Sequence, residues 1–352
     1  MAYTTINKSS DYFNTKLYTG NGSTNNITGV GFKPDMTWLK KRNGTANHHL
    51  VDAVRGVGYY LYPNLNNTQG GNGSALLTSF NTDGFTLDSG ADSNASGATG
   101  VGWSWKAGNL SNGTGVSNTD GSITSTVSAN TTSGFSIVSY TGNGTDGATV
   151  GHGLTSPKLV LIKDRDNATP WLMYGYPNHP AFPNDGSLIK LNENSAMVTD
   201  DSTTELSIGS STVTFVDAGS AINANSTQFI MYCFQEKKGF SKFGSYVGNG
   251  STNGSYIHLG FKPAFVMVKR TDSTANWQIL DNKRNTYNPW NTALFPDTND
   301  PDTTDYSTDH LSNGFKLRVT TTSRNGSGAS YIYMAFAENP FVSSSGVPAT
   351  AR

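Results

Sequence analysis

Tyr18-Thr19-Gly20-Asn21-Gly22 returns as Tyr140-Thr141-Gly142-Asn143-Gly144 and again as Tyr246-Val247-Gly248-Asn249-Gly250. Each copy follows a strand-like run and precedes a second one. In the first copy that run is Gly31-Phe32-Lys33-Pro34 leading into Met36 to Lys40, and in the third it is Gly260-Phe261-Lys262-Pro263 leading into Phe265 to Lys269. The second copy is looser, with Pro157 leading into Leu159 to Lys163. A further anchor closes each unit: Trp103-Ser104-Trp105, Tyr232-Cys233-Phe234 and Met334-Ala335-Phe336, in each case one small residue between two bulky ones. Near-equal spans with unrelated middles are the mark of a repeated fold unit. Asn-Gly tolerates positive φ, so the repeated stretch reads as a hairpin turn at which each unit starts.

The composition fits. Short apolar runs are set in Gly-, Asn-, Ser- and Thr-rich turns, and no helix longer than two turns is expected. Aromatic residues reach 11% and the net charge is only -1, which argues against disorder despite 35% hydrophobic content. We therefore expect an all-β chain of three tandem jelly-roll (lectin-like) β-sandwich domains. Residues 1–107 form the first with an N-terminal arm, and 108–133 form a Gly/Ser/Thr/Asn-rich linker. Residues 134–238 form the second, and 239–352 form the third with a C-terminal tail. The Asp-Gly-Phe-Thr-Leu element (Asp83 to Leu87) returns as Asn313 to Leu317, and Glu205-Leu206-Ser207-Ile208 stands in its place in the second unit.

Balanced charge excludes a nucleic-acid surface, and the basic cluster Lys40-Lys41-Arg42 reads as a solvated strand end. No apolar run is long enough to span a bilayer. Met1 to Thr5 shows no signal-peptide pattern, so synthesis in a cytoplasm is expected. Cys233, the single cysteine, excludes an internal disulfide.

Chemistry is hard to find. The four glutamates, Glu193, Glu205, Glu236 and Glu338, form no evident pair for sugar hydrolysis. Glu236 and Glu338 end equivalent strands, which suggests a shared structural role. His48-His49 point to opposite faces of an extended chain and read as polar loop residues, not metal ligands. Gly70-Gly71-Asn72-Gly73 lacks the Lys-Ser/Thr of a phosphate loop. Asp297, Asp300, Asp302, Asp305 and Asp309 leave calcium binding in that loop open, although the spacing matches no defined calcium loop. No catalytic residue, metal or cofactor is assigned. Trp171, Trp277 and Trp290 lie outside the repeated strands among polar residues, where an aromatic face can stack on a sugar. They are the glycan-binding candidates; capping of the sandwich ends is the competing reading.

The spelling Tyr-Thr-Gly-Asn-Gly, the connector Val116 to Asn130, the passage Gly134-Phe135-Ser136-Ile137-Val138 and the ending Tyr333 to Phe341 resemble domains of tailed-bacteriophage virion proteins, especially marine ones, over residues 12 to 345. That resemblance implies a non-enzymatic structural protein on the particle, in a tail fibre, spike or capsid-surface appendage. It implies a homo-oligomer among other phage structural proteins, exposing domains for host attachment. Host surface polysaccharide is a further expected partner. A glycan-binding adhesin is the alternative main role, and a polysaccharide-degrading enzyme a more distant one.

Overall fold

The computed structural model describes residues 4–71, 76–108, 115–176, 179 and 181–340, without the side chains of the last two. The ends of the expected terminal arm and tail (1–3, 341–352), linker residues 109–114 and the Asn72-Gly73 pair lie outside them. Among the described residues the regular structure is almost wholly antiparallel β, with two four-residue α-helices, Ser220–Asn223 and Thr322–Asn325, and two three-residue 3-10 turns, Ser9–Asp11 and Asp92–Asn94.

The repeats are visible in the sheet orders. Four strands of each unit form an inner sheet, in the order Phe13–Thr19, Thr99–Trp105, Met36–Lys41, His49–Asp52 in the first. In the second the order is Phe135–Thr141, Gln228–Phe234, Leu159–Asp164, Leu172–Gly175. In the third it is Ser241–Val247, Ser330–Pro340, Phe261–Arg270, Gln278–Asp281. Three shorter strands form an outer sheet in each unit. The middle outer strand of the second unit is Thr212–Phe215, paired with Thr149–Gly151. This strand takes the place of Gly84–Leu87 and Gly314–Leu317. The sequence expectation for Glu205 to Ile208 was thus one strand off: Leu206–Ile208 is the neighbouring outer strand.

The strands are apolar on both faces because both faces are covered. One face packs on the unit's own outer sheet, as Val138, Val160 and Met231 do with Val213 and Phe215. The other face joins a core common to all three units. Phe13, Trp38, Trp103 and Trp105 of the first meet Ile137, Trp171, Tyr232 and Phe234 of the second and Phe265, Trp277, Met334 and Phe336 of the third. Phe336 lies 5.8 Å from Trp105 and 6.2 Å from Phe234, ring centre to ring centre. The three units are walls of one interior.

Gly-Asn-Gly is not a hairpin turn, because the strands before and after it belong to different sheets. It carries the chain from inner to outer sheet and docks on a buried asparagine, Asn94, Asn223 or Asn325, that the sequence reading missed. The asparagine's Oδ1 accepts the backbone N–H of Asn21, Asn143 or Asn249, and its carbonyl accepts that of Gly22, Gly144 or Gly250. The first glycine is required by close approach: a Cβ on Gly20, Gly142 or Gly248 would sit within 2.4 Å of a backbone carbonyl oxygen. The tyrosine before it packs inside its own sandwich. Tyr140 stacks on Phe229 and donates to the Ile222 carbonyl, and Tyr246 donates to the Arg324 carbonyl.

Residues 108–133 are not simply a flexible bridge. Val116–Asn118 and Ser125–Asn130 are strands that extend the second inner sheet beyond Phe135–Thr141. Ser125, Val127 and Ser128 are buried in this strand, within a composition that otherwise reads as linker. Ser128 pairs with Ile137 there. At the equivalent edge of the other units, which no strand covers among the described residues, a side chain does the covering. Asn14 Oδ1 accepts the Thr15 N–H, and Glu236 accepts the Phe243 N–H at 2.7 Å. Guarded edges of this kind resist strand-to-strand aggregation.

Candidate functional site: seams between the units and a groove in the third

The loop after the fourth inner strand of each unit reaches onto the next unit and makes the same three contacts. First, a buried lysine donates to an asparagine carbonyl in that loop. The pairs are Lys40 to Asn299, Lys163 to Asn66 and Lys269 to Asn194. Burial lowers each of these lysines to a pKa of about 8. Second, a ring nitrogen meets a carbonyl. Trp171 Nε1 donates to Tyr62 and Trp277 Nε1 to Lys190, both at 2.9 Å, and His48 Nε2 lies 2.9 Å from the Phe295 oxygen. Third, the backbone N–H of Gln69, Met197 and Asp302 donates to the carbonyl of Arg165, Thr271 and Arg42. First grips second, second grips third, third grips first: the ring closes.

Three sequence-based readings are corrected by these seams. Trp171 and Trp277 are 0% and 1% exposed, so they pin neighbouring units and offer no face to a sugar. Lys40 is fully buried, not a solvated strand end, and Arg42 pairs with Asp302 across the seam. His48 and His49 do face opposite sides, but His49 begins a strand and both are buried. The signal for this was in the sequence: a lysine ends the apolar strand in every repeat.

A fourth contact is present in two seams only. Asp52 and Arg55 form a buried pair, and Tyr232 of the second unit donates to Asp52 Oδ2 at 2.7 Å. Asp281 and Arg284 repeat it, with Trp103 Nε1 of the first unit donating at 3.1 Å. The equivalent place in the second unit is Gly175, and the equivalent neighbour in the third is Met334, which has no proton to donate. Ion pair and donor are present together or absent together.

The acidic run of the third unit is taken apart by other partners. Asp302 bridges Arg42 and Arg284, Asp309 pairs with Arg318, and Asp300 accepts from Thr298. Among the described residues no three His, Cys, Asp or Glu side chains gather to hold a metal. Asp297 accepts the Trp277 N–H, as Asn64 and Asn192 accept those of His48 and Trp171. Its second oxygen, Oδ2, has no partner, and burial raises its pKa to about 7. An ordinary aspartate in the unfolded chain titrates near 3.9, so the folded state holds the extra proton and loses stability as pH rises from about 4 to 7. Asp297→Asn, which installs the residue of the other two units, should gain roughly 2–4 kcal/mol at pH 8 and little at pH 4. Denaturant midpoints of both proteins at the two pH values check this; parallel pH profiles would refute it.

Trp290 sits elsewhere. The chain takes ten residues from Arg284 to Leu294 but six over the equivalent stretch from Arg55 to Leu61. The longer loop is tied down by Asn288, whose side chain bonds both the N–H and the carbonyl of His310, and by pairing of Trp290 with Thr308. Trp290 is 3% exposed and stacks on His310 with ring centres 3.3 Å apart. One of its faces is therefore taken, yet it lines a polar groove of about 250 Å3 together with Lys262, Asn282, Lys283, His310 and Glu338. A second lobe of about 270 Å3 shares Asn282, Lys283 and Glu338 and reaches Ser10 and Asn14 of the first unit. Tyr287, on the same loop, is 86% exposed.

Other hollows carry less. A void of about 20 Å3 where the three inner sheets meet is wholly apolar and too small for a ligand. An open groove of about 620 Å3 lies between the second and third units along Met197, Val247 and Tyr331, and no unpartnered buried polar atom lines it.

The fold and seams define a class, an all-β body of repeated antiparallel sheets closed around one core. The chain belongs to the family described as Domain of unknown function (DUF7483), whose profile matches residues 8–340, all three repeats at once. No curated protein and no solved structure matches it.

Proposed function

We propose that this chain is a non-enzymatic structural protein of a tailed-bacteriophage particle, built of three lectin-like jelly-roll sandwiches and displaying its unrepeated loops for attachment to a host surface. The observation that carries the reading is the closed ring of seams. Three units locked by buried lysine, tryptophan and histidine contacts form a rigid mount, while the loop Arg284 to Leu294, longer than its counterpart in the first unit, carries the exposed Tyr287. Inner sheets facing a common interior and outer sheets facing away suit a body held by one end on a larger assembly. The virion origin rests on the resemblance of the repeated motifs and the connector. Other structural proteins of the particle and further copies of this chain are its expected partners.

Mass spectrometry of purified particles tests this. The chain should be present at structural stoichiometry, and immunogold labelling should place it in the tail or on the head. Particles that lack the chain would refute the reading.

A further inference from the structure

We propose that the two-lobed groove of the third unit binds a saccharide that carries a carboxylate, of the kind a uronic-acid residue in a surface polysaccharide presents. The first ground is unmet hydrogen bonding. His310 is 3% exposed, neither ring nitrogen makes a geometrically sound hydrogen bond, and burial holds its pKa well below 6.5 against the weaker opposing pull of the Thr308 carbonyl. Asn282 Oδ1 is also buried without a partner. Each such group costs about 1–3 kcal/mol when left unsatisfied in a folded protein. Two of them lining one groove make a site that lacks its hydroxyl groups.

The second ground is the mixture of chemistry. A neutral imidazole offers one donor and one acceptor, Asn282 offers an acceptor, and the Glu338 carboxylate offers more. Polyhydroxylated rings need that alternation. Lys262 is held by Glu338 at 2.7 Å, whereas Lys283 makes no ion pair among the described residues. Lys283 stands between the lobes, free to meet an anionic substituent. Tyr287 supplies an exposed aromatic face beside the groove, which suits the apolar face of a pyranose.

The third ground is internal comparison. By register, Asn282, Lys283 and His310 correspond to Ala53, Val54 and Phe80 of the first unit. The same fold position is apolar there and polar here, so the scaffold does not require these side chains. Together the lobes are in the size range of small-ligand sites.

The proposal rests on the display reading for the source of the saccharide, not for its chemistry. Titration of the full-length protein with trigalacturonate, observed by saturation-transfer NMR, should give saturable binding with a dissociation constant in the millimolar range or below. Lys283→Ala should weaken it about tenfold while leaving a neutral galactoside unaffected, and Tyr287→Ala should weaken both about tenfold. Both side chains are exposed, so neither change threatens folding. Absence of saturable binding, or affinity unchanged in both variants, would overturn the assignment. So would inorganic phosphate that competes with equal affinity, since that defines a simple anion site. Presence of the chain on particles is a separate measurement, so either proposal can fail alone.

Discussion

Replacing Asp52 with alanine should destabilise the protein by about 3–5 kcal/mol, the size seen when one member of a buried ion pair is removed. Both Asp52 and Arg55 side chains are 0% exposed. The loss leaves the Arg55 guanidinium with the Leu50 carbonyl as its main partner and strips the Tyr232 hydroxyl of its acceptor. Asp52 Oδ1 also holds the N–H groups of Val54 and Arg55, so the turn after the strand loosens as well. The third seam suggests the compensation. There Gly175, covered by the Phe182 ring, and Met334 hold the equivalent positions without any charge, and the sheets still close. The triple variant Asp52→Gly, Arg55→Met, Tyr232→Met removes every charge and donor at once and should recover at least half of the stability lost by Asp52→Ala. Denaturant unfolding of the three proteins decides the matter. A triple variant less stable than Asp52→Ala would mean that the pair is net stabilising, and that the charge-free seam depends on packing particular to Gly175.

What the sequence made legible was whatever is repeated within a unit. The tyrosine before Gly-Asn-Gly, the two bulky residues around a small one, and the proline at or near the start of the third inner strand are local patterns set by strand period and close backbone approach. Contacts between units left a fainter trace. Lys40, Lys163 and Lys269 are charged residues at strand ends, and such residues are exposed in most proteins. Only the coincidence that all three follow an apolar run hinted that the solvent end of the strand is covered. Trp171 and Trp277 sit among polar residues because the loops that bury them belong to the neighbouring unit and supply carbonyls. Polar surroundings in sequence thus stood for burial in space. The groove was legible only in part: Trp290 was singled out for its aromatic face, yet His310 covers that face. Asn282 and Lys283 stand out only once the first unit's Ala53 and Val54 are aligned with them. Asn94, Asn223 and Asn325 were missed because asparagine is common throughout this chain.

The second unit expressed alone, residues 115–238, should fail to fold although its length would suffice for an independent domain. Its inner sheet would expose Phe135, Ile137, Leu161, Trp171, Met173, Tyr232 and Phe234, all buried in the common core. At about 1.5–3 kcal/mol for each large apolar side chain, returning them to water costs roughly 10–20 kcal/mol. A whole domain is stable by only about 5–15 kcal/mol. Lys163 would also lose the Asn66 carbonyl, and Trp171 Nε1 the Tyr62 carbonyl. The isolated piece should therefore be aggregated or lack a cooperative melt by circular dichroism, whereas the full chain should unfold in one transition. Every residue of the second unit's own outer-sheet core lies within 115–238, so excision leaves that core's residues in place and removes the partners of the shared face. Only the shared face differs. A monomeric fragment with a sharp thermal transition, or three resolved transitions in the full chain, would show that the units are independent domains in contact. A single transition makes the ring of seams the cooperative unit, with the same boundaries as the family match, residues 8–340.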